Sequence, residues 1–212
     1  MTRPATERLA IAGPAGAIEI QIETLEQPLG LALIAHPHPL FGGTLDNKVV
    51  YTLARVMREL GYVALRPNFR GVGASEGQHD EGGGETEDLL TVLDYARARF
   101  GPLPLILAGF SFGAYVQTRV ARRLQELGQP PSRLVLVGAA AGSVLGTRHY
   151  LTEPVPPDTL VIHGEWDETV PLANVLDWAR PQELPVVLVP GADHFFHGKL
   201  RQLRDISHRA WR

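Results

Sequence analysis

Short, uninterrupted apolar runs alternate with amphipathic stretches along most of this chain. Such runs are typical of parallel strands buried on both faces, and they occupy residues 31–35, 62–65, 105–107, 134–137, 160–163 and 185–189. The amphipathic stretches repeat apolar residues every three or four positions, as helices packed on one side do, and they cover residues 46–60, 86–100, 112–127 and 199–211. This alternation predicts a mostly parallel sheet with helices on both faces.

The amino-terminal part of the chain follows a different pattern. Ile18, Ile20 and Ile22 alternate with polar residues, and a Gly-Pro-Ala-Gly turn separates this run from residues 8–12. Strict alternation predicts an antiparallel hairpin with one face in water. Together with the six buried runs, the hairpin brings the predicted sheet to eight strands.

The pentapeptide Gly-Phe-Ser-Phe-Gly, residues 109–113, lies where a buried strand meets a helix. So tight a turn holds Ser111 in a strained backbone conformation, and Gly109 and Gly113 remove the β-carbons that would collide with neighbouring elements. The positive end of the following helix favours negative charge beside the Ser111 hydroxyl. Although this pattern also occurs by chance in glycine-rich loops, its position between strand and helix favours a nucleophile.

A serine hydroxyl is a poor nucleophile unless a base takes its proton, and the base needs a carboxylate to orient it. The carboxyl ends of parallel strands lie on one edge of a sheet, so the residues just after strands are the candidates. His194 follows the last strand and is the predicted general base, with His197 as the alternative. Asp167 follows the preceding strand and is the predicted carboxylate, in competition with Glu165 and Glu168.

The negative charge that develops on a carbonyl oxygen during acyl transfer needs backbone N–H donors. Phe112, directly after the candidate nucleophile, supplies the first donor of this oxyanion hole. The second is expected from the loop after the third strand, whose prolines exclude both a helix and a strand ladder. Pro37 and Pro39 have no N–H, so His38 and Leu40 both remain as candidates.

Length, charge and cysteine content narrow the possible functions. The chain has 212 residues and is 44% hydrophobic, which predicts one domain over residues 1–212. Its formal net charge of −3, with acidic and basic residues interspersed, provides no positive field for nucleic acid or a membrane surface, and we expect neither partner. The absence of cysteine and of a signal-peptide pattern at the amino terminus favours a cytoplasmic location.

Two further motifs resemble a metal site and a cofactor-binding site, but neither motif is complete. His36 and His38 could form a metal pair, but a zinc site needs more ligands and no third cluster is present. Gly71-Val72-Gly73 begins like a dinucleotide-binding fingerprint, but Glu76 occupies the position of its third glycine. We therefore expect no metal and no cofactor. Three other histidines are expected on the solvated surface: His79, His149 and His208.

Three segments resemble the catalytic segments of the α/β-hydrolase superfamily. They are Gly-Phe-Ser-Phe-Gly at 109–113, His163-Gly164-x-x-Asp167, and Gly191-x-x-His194-Phe195, in the chain order serine, acid, histidine. The segments 36–48 and 191–199 more narrowly resemble small lidless bacterial α/β-hydrolases related to dienelactone hydrolase and serine-aminopeptidase-like proteins. The resemblance implies an α/β-hydrolase fold with an eight-stranded mostly parallel sheet, helices on both faces and no substantial cap domain.

Members of this superfamily often carry an inserted cap between the sixth and seventh strands. Here that segment, residues 138–158, has room for one short helix only, so Ser111 should be open to water and to varied substrates. Lid-dependent lipase behaviour is correspondingly disfavoured. Six aromatic residues flank the predicted site and could form either an acyl pocket or core: Phe41, Phe110, Phe112, Trp166, Phe195 and Phe196.

These observations predict a serine hydrolase that cleaves carboxylic esters of small molecules through an acyl-enzyme. Ser111 attacks, His194 moves the proton, Asp167 orients His194, and the Phe112 N–H helps to bind the oxyanion. One alternative keeps the chemistry and changes the bond, giving a peptidase or amidase of the serine-aminopeptidase-like type. The other is a non-catalytic binding protein on a hydrolase fold.

Overall fold

The computed structural model describes residues 5–145 and 148–211. Within these residues the strands are β1 (Ala5–Gly13), β2 (Gly16–Thr24), β3 (Gly30–Ala35), β4 (Tyr62–Pro67), β5 (Leu105–Phe110), β6 (Arg133–Val137), β7 (Gly142–Ser143), β8 (His149–Tyr150), β9 (Leu160–Gly164) and β10 (Val186–Val189). The α-helices are α1 (Lys48–Glu59), α2 (Gly83–Phe100), α3 (Phe112–Glu126), α4 (Leu172–Ala179) and α5 (Leu200–Arg209).

Eight of these strands form one sheet in the order β1-β2-β4-β3-β5-β6-β9-β10. The pairs β1–β2 and β2–β4 are antiparallel, and every pair from β4 to β10 is parallel. The eight-stranded, mostly parallel sheet predicted from the sequence is confirmed. The chain runs from β3 outward to β4 and then returns past β3 to β5, so the strand order reverses between β3 and β5. A crevice opens at such a reversal, outside the carboxyl ends of the strands.

Two hydrophobic clusters cover the two faces of this sheet. Successive residues of β5 point to opposite faces, so Leu105 and Leu107 pack beneath α2 and α3, whereas Ile106 and Ala108 pack beneath α1 and α5. This two-sided burial explains why the central strands are uninterrupted apolar runs in the sequence. None of the described helices is long and apolar enough to cross a membrane.

The predicted helices are present with shifted ends, and one further helix was not predicted. α1 begins two residues later than the periodicity indicated, because the Asn47 side chain accepts hydrogen bonds from the Val49 and Val50 N–H groups and caps the helix there. α4 is only eight residues long, and just Val175 and Ala179 of it are buried, which leaves too few apolar positions to mark a helix in the sequence.

Two loops also differ from expectation. The segment after β3 was expected to contain no helix, but Pro39–Phe41 form one 3₁₀ turn. Proline is tolerated at its first position, where a backbone N–H would have no partner within the turn. Between β6 and β9 the described residues form the small β7–β8 hairpin in place of the one short helix for which there was room. The expected absence of a substantial cap agrees with this short connection.

Candidate active site

Ser111 lies between β5 and α3 in a backbone conformation that few residues other than glycine adopt, with φ of 55° and ψ of −119°. Its N–H donates to the Val137 carbonyl on the neighbouring strand at 2.9 Å. Its carbonyl accepts from the N–H groups of Ala114 at 3.0 Å and Ala140 at 3.2 Å. Such a conformation typically costs on the order of 1–3 kcal/mol and persists only where surrounding contacts impose it. Here both polar backbone groups of Ser111 are held.

Glycine is required on both sides of Ser111 because other backbone lies against it. A β-carbon on Gly109 would stand 2.5 Å from the Gly113 carbonyl oxygen. A β-carbon on Gly113 would stand 2.4 Å from the His36 carbonyl oxygen and 2.5 Å from that of Ala35. The first turn of α3 therefore packs directly against the carboxyl end of β3, and this close approach fixes the position of Ser111.

Ser111, His194 and Asp167 form one hydrogen-bonded chain. His194 Nε2 lies 3.0 Å from Ser111 Oγ, and His194 Nδ1 lies 2.7 Å from Asp167 Oδ2. Asp167 follows β9, His194 follows β10, and all three residues are buried. The structure thus brings together residues that are 83 and 27 positions apart in the sequence.

The second oxygen of Asp167 is anchored to its own loop. Asp167 Oδ1 accepts hydrogen bonds from the backbone N–H groups of Thr169 at 3.0 Å and Val170 at 2.7 Å. With Oδ1 held in this way, Oδ2 is directed at His194 Nδ1, which must then carry the proton. This arrangement leaves the Nε2 lone pair facing the Ser111 hydroxyl, as a general base requires.

The competing residues of the same loops have other contacts. Glu165 accepts from the Gly191 N–H at 2.8 Å and so ties the β9 loop to the β10 loop. Glu168 is exposed, and His197 contacts Asp193 on the surface, with Nδ1 2.6 Å from Oδ2. The structure therefore connects neither these carboxylates nor His197 to Ser111.

His163 is a residue of the site for which the sequence predicts no role. It is fully buried, its Nε2 lies 3.0 Å from the Val170 carbonyl, and the same atom is 3.6 Å from Asp167 Oδ2. Burial lowers the pKa of His163, which favours the neutral ring. His163 thus supports the loop whose N–H groups hold Asp167. Its position in the His163-Gly164-x-x-Asp167 segment was the available signal.

The backbone donors near Ser111 differ in their availability. Among the hydrogen bonds of the described residues, neither the Phe112 N–H nor the His38 N–H donates to another group. The Leu40 N–H, by contrast, donates to His38 Nδ1 at 3.3 Å. Of the two candidates that the sequence left open for the second donor, His38 is therefore the one with an uncommitted N–H.

The two histidines of the β3 loop are held in the neutral state. His36 Nε2 accepts from the Phe69 N–H at 2.9 Å, and its Nδ1 lies 2.6 Å from the Pro37 carbonyl, so both ring nitrogens are engaged. Burial lowers the pKa of His36 to about 4. Burial, followed by the proximity of the His79 ring and of the Arg148 guanidinium, also lowers the pKa of His38 to about 4. The hydrogen bonds of His36 leave no lone pair for a metal.

The expectation that His79 is a solvated surface residue is wrong. Its side chain is 12% exposed, and its Nδ1 lies 2.7 Å from Oε1 of the fully buried Glu85. Its ring packs 4.7 Å from that of His38 and 5.2 Å from that of Phe112, measured between centroids. The loop after β4 folds back over the site and carries His79 with it, which local polarity does not reveal. His149 is exposed, as expected.

A cleft of about 570 Å³ opens beside Ser111. Phe41 and Phe195 line it, so two of the six flanking aromatic residues face this cleft. Phe110, Phe112 and Phe196 are buried in the core, and Trp166 is exposed outside the cleft lining. The complete lining consists of Pro37, His38, Phe41, Gly42, Gly43, Asn47, Ser111, Leu145, Arg148, Thr169, His194 and Phe195.

Known proteins with the same architecture share much of this sequence. A solved α/β serine hydrolase without a lid, from Xanthomonas campestris, is 38% identical, covers 97% of this chain and 93% of its own, and superposes with a TM-score of 0.84. An α/β serine hydrolase homologue from Coxiella burnetii is 40% identical, with 96% of each chain covered and a TM-score of 0.80. The chain belongs to the lidless α/β serine hydrolases.

Two further matches are more limited in extent. A thioesterase-domain family model matches residues 85–158, a range that includes Ser111 and excludes both Asp167 and His194. The lysophosphatidylserine lipase ABHD12 of Danio rerio is 37% identical over 106 residues, which are 48% of this chain and 28% of that protein. This lidless α/β serine hydrolase thus matches little more than a quarter of the length of that lipase.

The packing around Gly113 predicts that even one added methyl group disturbs the site. In Gly113→Ala the β-carbon would meet two backbone carbonyls of β3 and its loop, so the turn must move, at a cost of about 1–3 kcal/mol in the free energy of unfolding. Thermal unfolding followed by circular dichroism measures this loss. Gly83→Ala is the matched control, because its β-carbon would meet only the end of the Asp80 side chain, at 3.0 Å. Equal melting temperatures for the two variants would contradict the prediction.

Proposed function

We propose that this lidless α/β serine hydrolase cleaves carboxylic esters in two steps, through an acyl-enzyme on Ser111. The observation that carries the proposal is the hydrogen-bonded chain from Asp167 through His194 to Ser111 Oγ. A hydroxyl in this setting can lose its proton to the imidazole as it attacks, and the carboxylate stabilises the imidazolium that forms.

In the first step, Ser111 Oγ attacks the ester carbonyl carbon while its proton passes to His194 Nε2. The carbonyl oxygen becomes an oxyanion, which accepts hydrogen bonds from the Phe112 and His38 N–H groups. When the tetrahedral intermediate collapses, the bond to the alcohol oxygen breaks and the alcohol leaves with the proton from His194. The acyl group is now esterified to Ser111.

In the second step, water takes the place of the alcohol. His194 Nε2 removes a proton from the water as its oxygen attacks the acyl carbon, and the same backbone donors stabilise the second oxyanion. Collapse breaks the bond to Ser111 Oγ, which recovers its proton from His194. The products are a carboxylic acid and the free enzyme, so every proton taken up by His194 is returned.

The surroundings of Ser111 support an ester substrate with an apolar part. The cleft is lined by Phe41, Leu145 and Phe195, and the short connection between β6 and β9 leaves it open. The ABHD12 relatives are named lysophosphatidylserine lipases, and a lysophospholipid is an ester with one apolar chain and a polar headgroup. A thioester is the second candidate, because the thioesterase-domain match spans the Ser111 turn and thioesters react by the same two steps.

The central variant is Ser111→Ala, which removes the attacking oxygen and keeps the fold. We expect it to lower kcat on short p-nitrophenyl esters by at least about a thousandfold and to abolish labelling by a fluorophosphonate. Ser132→Ala, at an exposed loop position, is the matched control and should keep the parent rate and the label. A folded Ser111→Ala protein that hydrolyses the esters at the parent rate would overturn the proposal.

Three substrates that carry the same acyl group, as an ester, a thioester and an amide, determine which type of bond the enzyme cleaves. We expect turnover of the oxygen ester and little of the matched amide, because an amine is a poorer leaving group and must be protonated as it departs. A kcat/KM for the thioester well above that for the ester would favour the second candidate. Efficient amide cleavage would instead favour a peptidase or amidase.

A further inference from the structure

The cleft beside Ser111 contains one permanently charged side chain among the described residues that line it. That residue is Arg148, and the remaining ionisable side chains of this described lining are two histidines, His38 and His194. Burial lowers the pKa of His38, which favours its neutral ring. Around Arg148 the lining is apolar, since Phe41 and Leu145 are its neighbours. A single cation in an apolar cleft favours a ligand that is apolar along most of its length and negatively charged at one position.

The guanidinium of Arg148 is held in place without a negatively charged partner. Its carbon lies 4.2 Å from the centroid of the Phe41 ring, and its Nε and Nη2 donate to the Leu145 carbonyl at 3.2 and 2.9 Å. Within the described part of the chain no carboxylate comes within salt-bridge distance of it. Arg70, by contrast, is bonded to both oxygens of Asp88.

Contacts through Phe41 place Arg148 on the side of the cleft that carries the proposed second oxyanion donor. The Phe41 ring that it covers packs edge-on against the His38 ring at 4.8 Å, and His38 carries the proposed second oxyanion donor. Arg148 therefore lies on the side of the cleft that is formed by the loop after β3, and the Phe41 ring separates it from His38. Phe41 and Leu145 are 67% and 60% exposed, so this side is the open rim of the cleft, where a charged group of a bound substrate could remain partly hydrated.

We propose that Arg148 selects esters whose chain carries an anionic group, a carboxylate or a phosphate, at the rim of the cleft. The inference rests on the proposed esterase function and deepens it, because it assigns the substrate class. The apolar part of such a substrate lies against Phe41 and Leu145 with its carbonyl at Ser111, and its anion accepts hydrogen bonds from the guanidinium. Arginine suits this role because its planar donors match both carboxylate and phosphate.

The test compares two p-nitrophenyl esters of equal chain length, the hexanoate and the monoester of adipic acid, which differ by a terminal carboxylate. In Arg148→Gln we expect kcat/KM for the anionic ester to fall about tenfold, while that for the neutral ester stays within about twofold. Arg148→Lys keeps the charge and should retain most of the preference. Arg123→Gln, an exposed arginine of α3, is the matched control and should change neither value.

Salt and a second substrate pair make the test more specific. Raising the salt concentration to 0.5 M should reduce the preference of the parent enzyme for the anionic ester and leave Arg148→Gln unchanged, because salt screens a rim-exposed charge. Lysophosphatidylserine and lysophosphatidylcholine with the same acyl chain both carry a phosphate, but choline neutralises its charge, so this pair asks whether the anion is a phospholipid headgroup with a net negative charge. A loss confined to lysophosphatidylserine in Arg148→Gln identifies the headgroup, and a loss confined to the adipate monoester identifies a simple carboxylate.

Three results would overturn the inference. If Arg148→Gln lowers kcat/KM for neutral and anionic esters equally, Arg148 only supports its loop and Phe41. If the parent enzyme cleaves all these esters without regard to charge, the substrate class is wrong while the proposed esterase function stands. If the parent enzyme cleaves none of them, the proposed function fails and this inference fails with it.

Discussion

The site depends on a close contact between two pieces of backbone, the first turn of α3 and the carboxyl end of β3. Gly113 lies so close to the carbonyls of Ala35 and His36 that no side chain fits between them. The contact holds Ser111 at positive φ and brings its hydroxyl beside the loop that follows β3. Both proposed oxyanion donors, Phe112 and His38, belong to the two elements that meet there, so one packing constraint positions the attacking atom and the donors together.

The other half of the site comes from the far strands of the sheet and is tied together by polar contacts. Asp167 is held by backbone N–H groups of its own loop, His163 supports that loop from within β9, and Glu165 links it to the loop that carries His194. His194 then bridges to Ser111. Because each residue in this chain of contacts is itself held by a neighbour, the imidazole can transfer protons without a large rearrangement of the protein.

Much of this arrangement could be predicted from the sequence because its signals are local. A strand ending in Gly-x-Ser-x-Gly fixes the turn, and a parallel sheet requires that the residues following β9 and β10 share its edge with Ser111. What escaped prediction depends on contacts between distant segments. His79 lies in a polar loop, and only its bond to Glu85 and its packing on His38 reveal its place. The choice between His38 and Leu40 depends on one hydrogen bond, from the Leu40 N–H to the His38 ring.

The proposed mechanism requires that Ser111 becomes acylated during turnover with the help of His194 and Asp167. Rapid mixing with a p-nitrophenyl ester, followed by acid quenching and peptide mass spectrometry, tests it most directly. We expect a burst of about one equivalent of p-nitrophenol per chain and an acyl group on the peptide that contains Ser111. Steady hydrolysis in which every trapped acyl group is found on a peptide without Ser111 would contradict it.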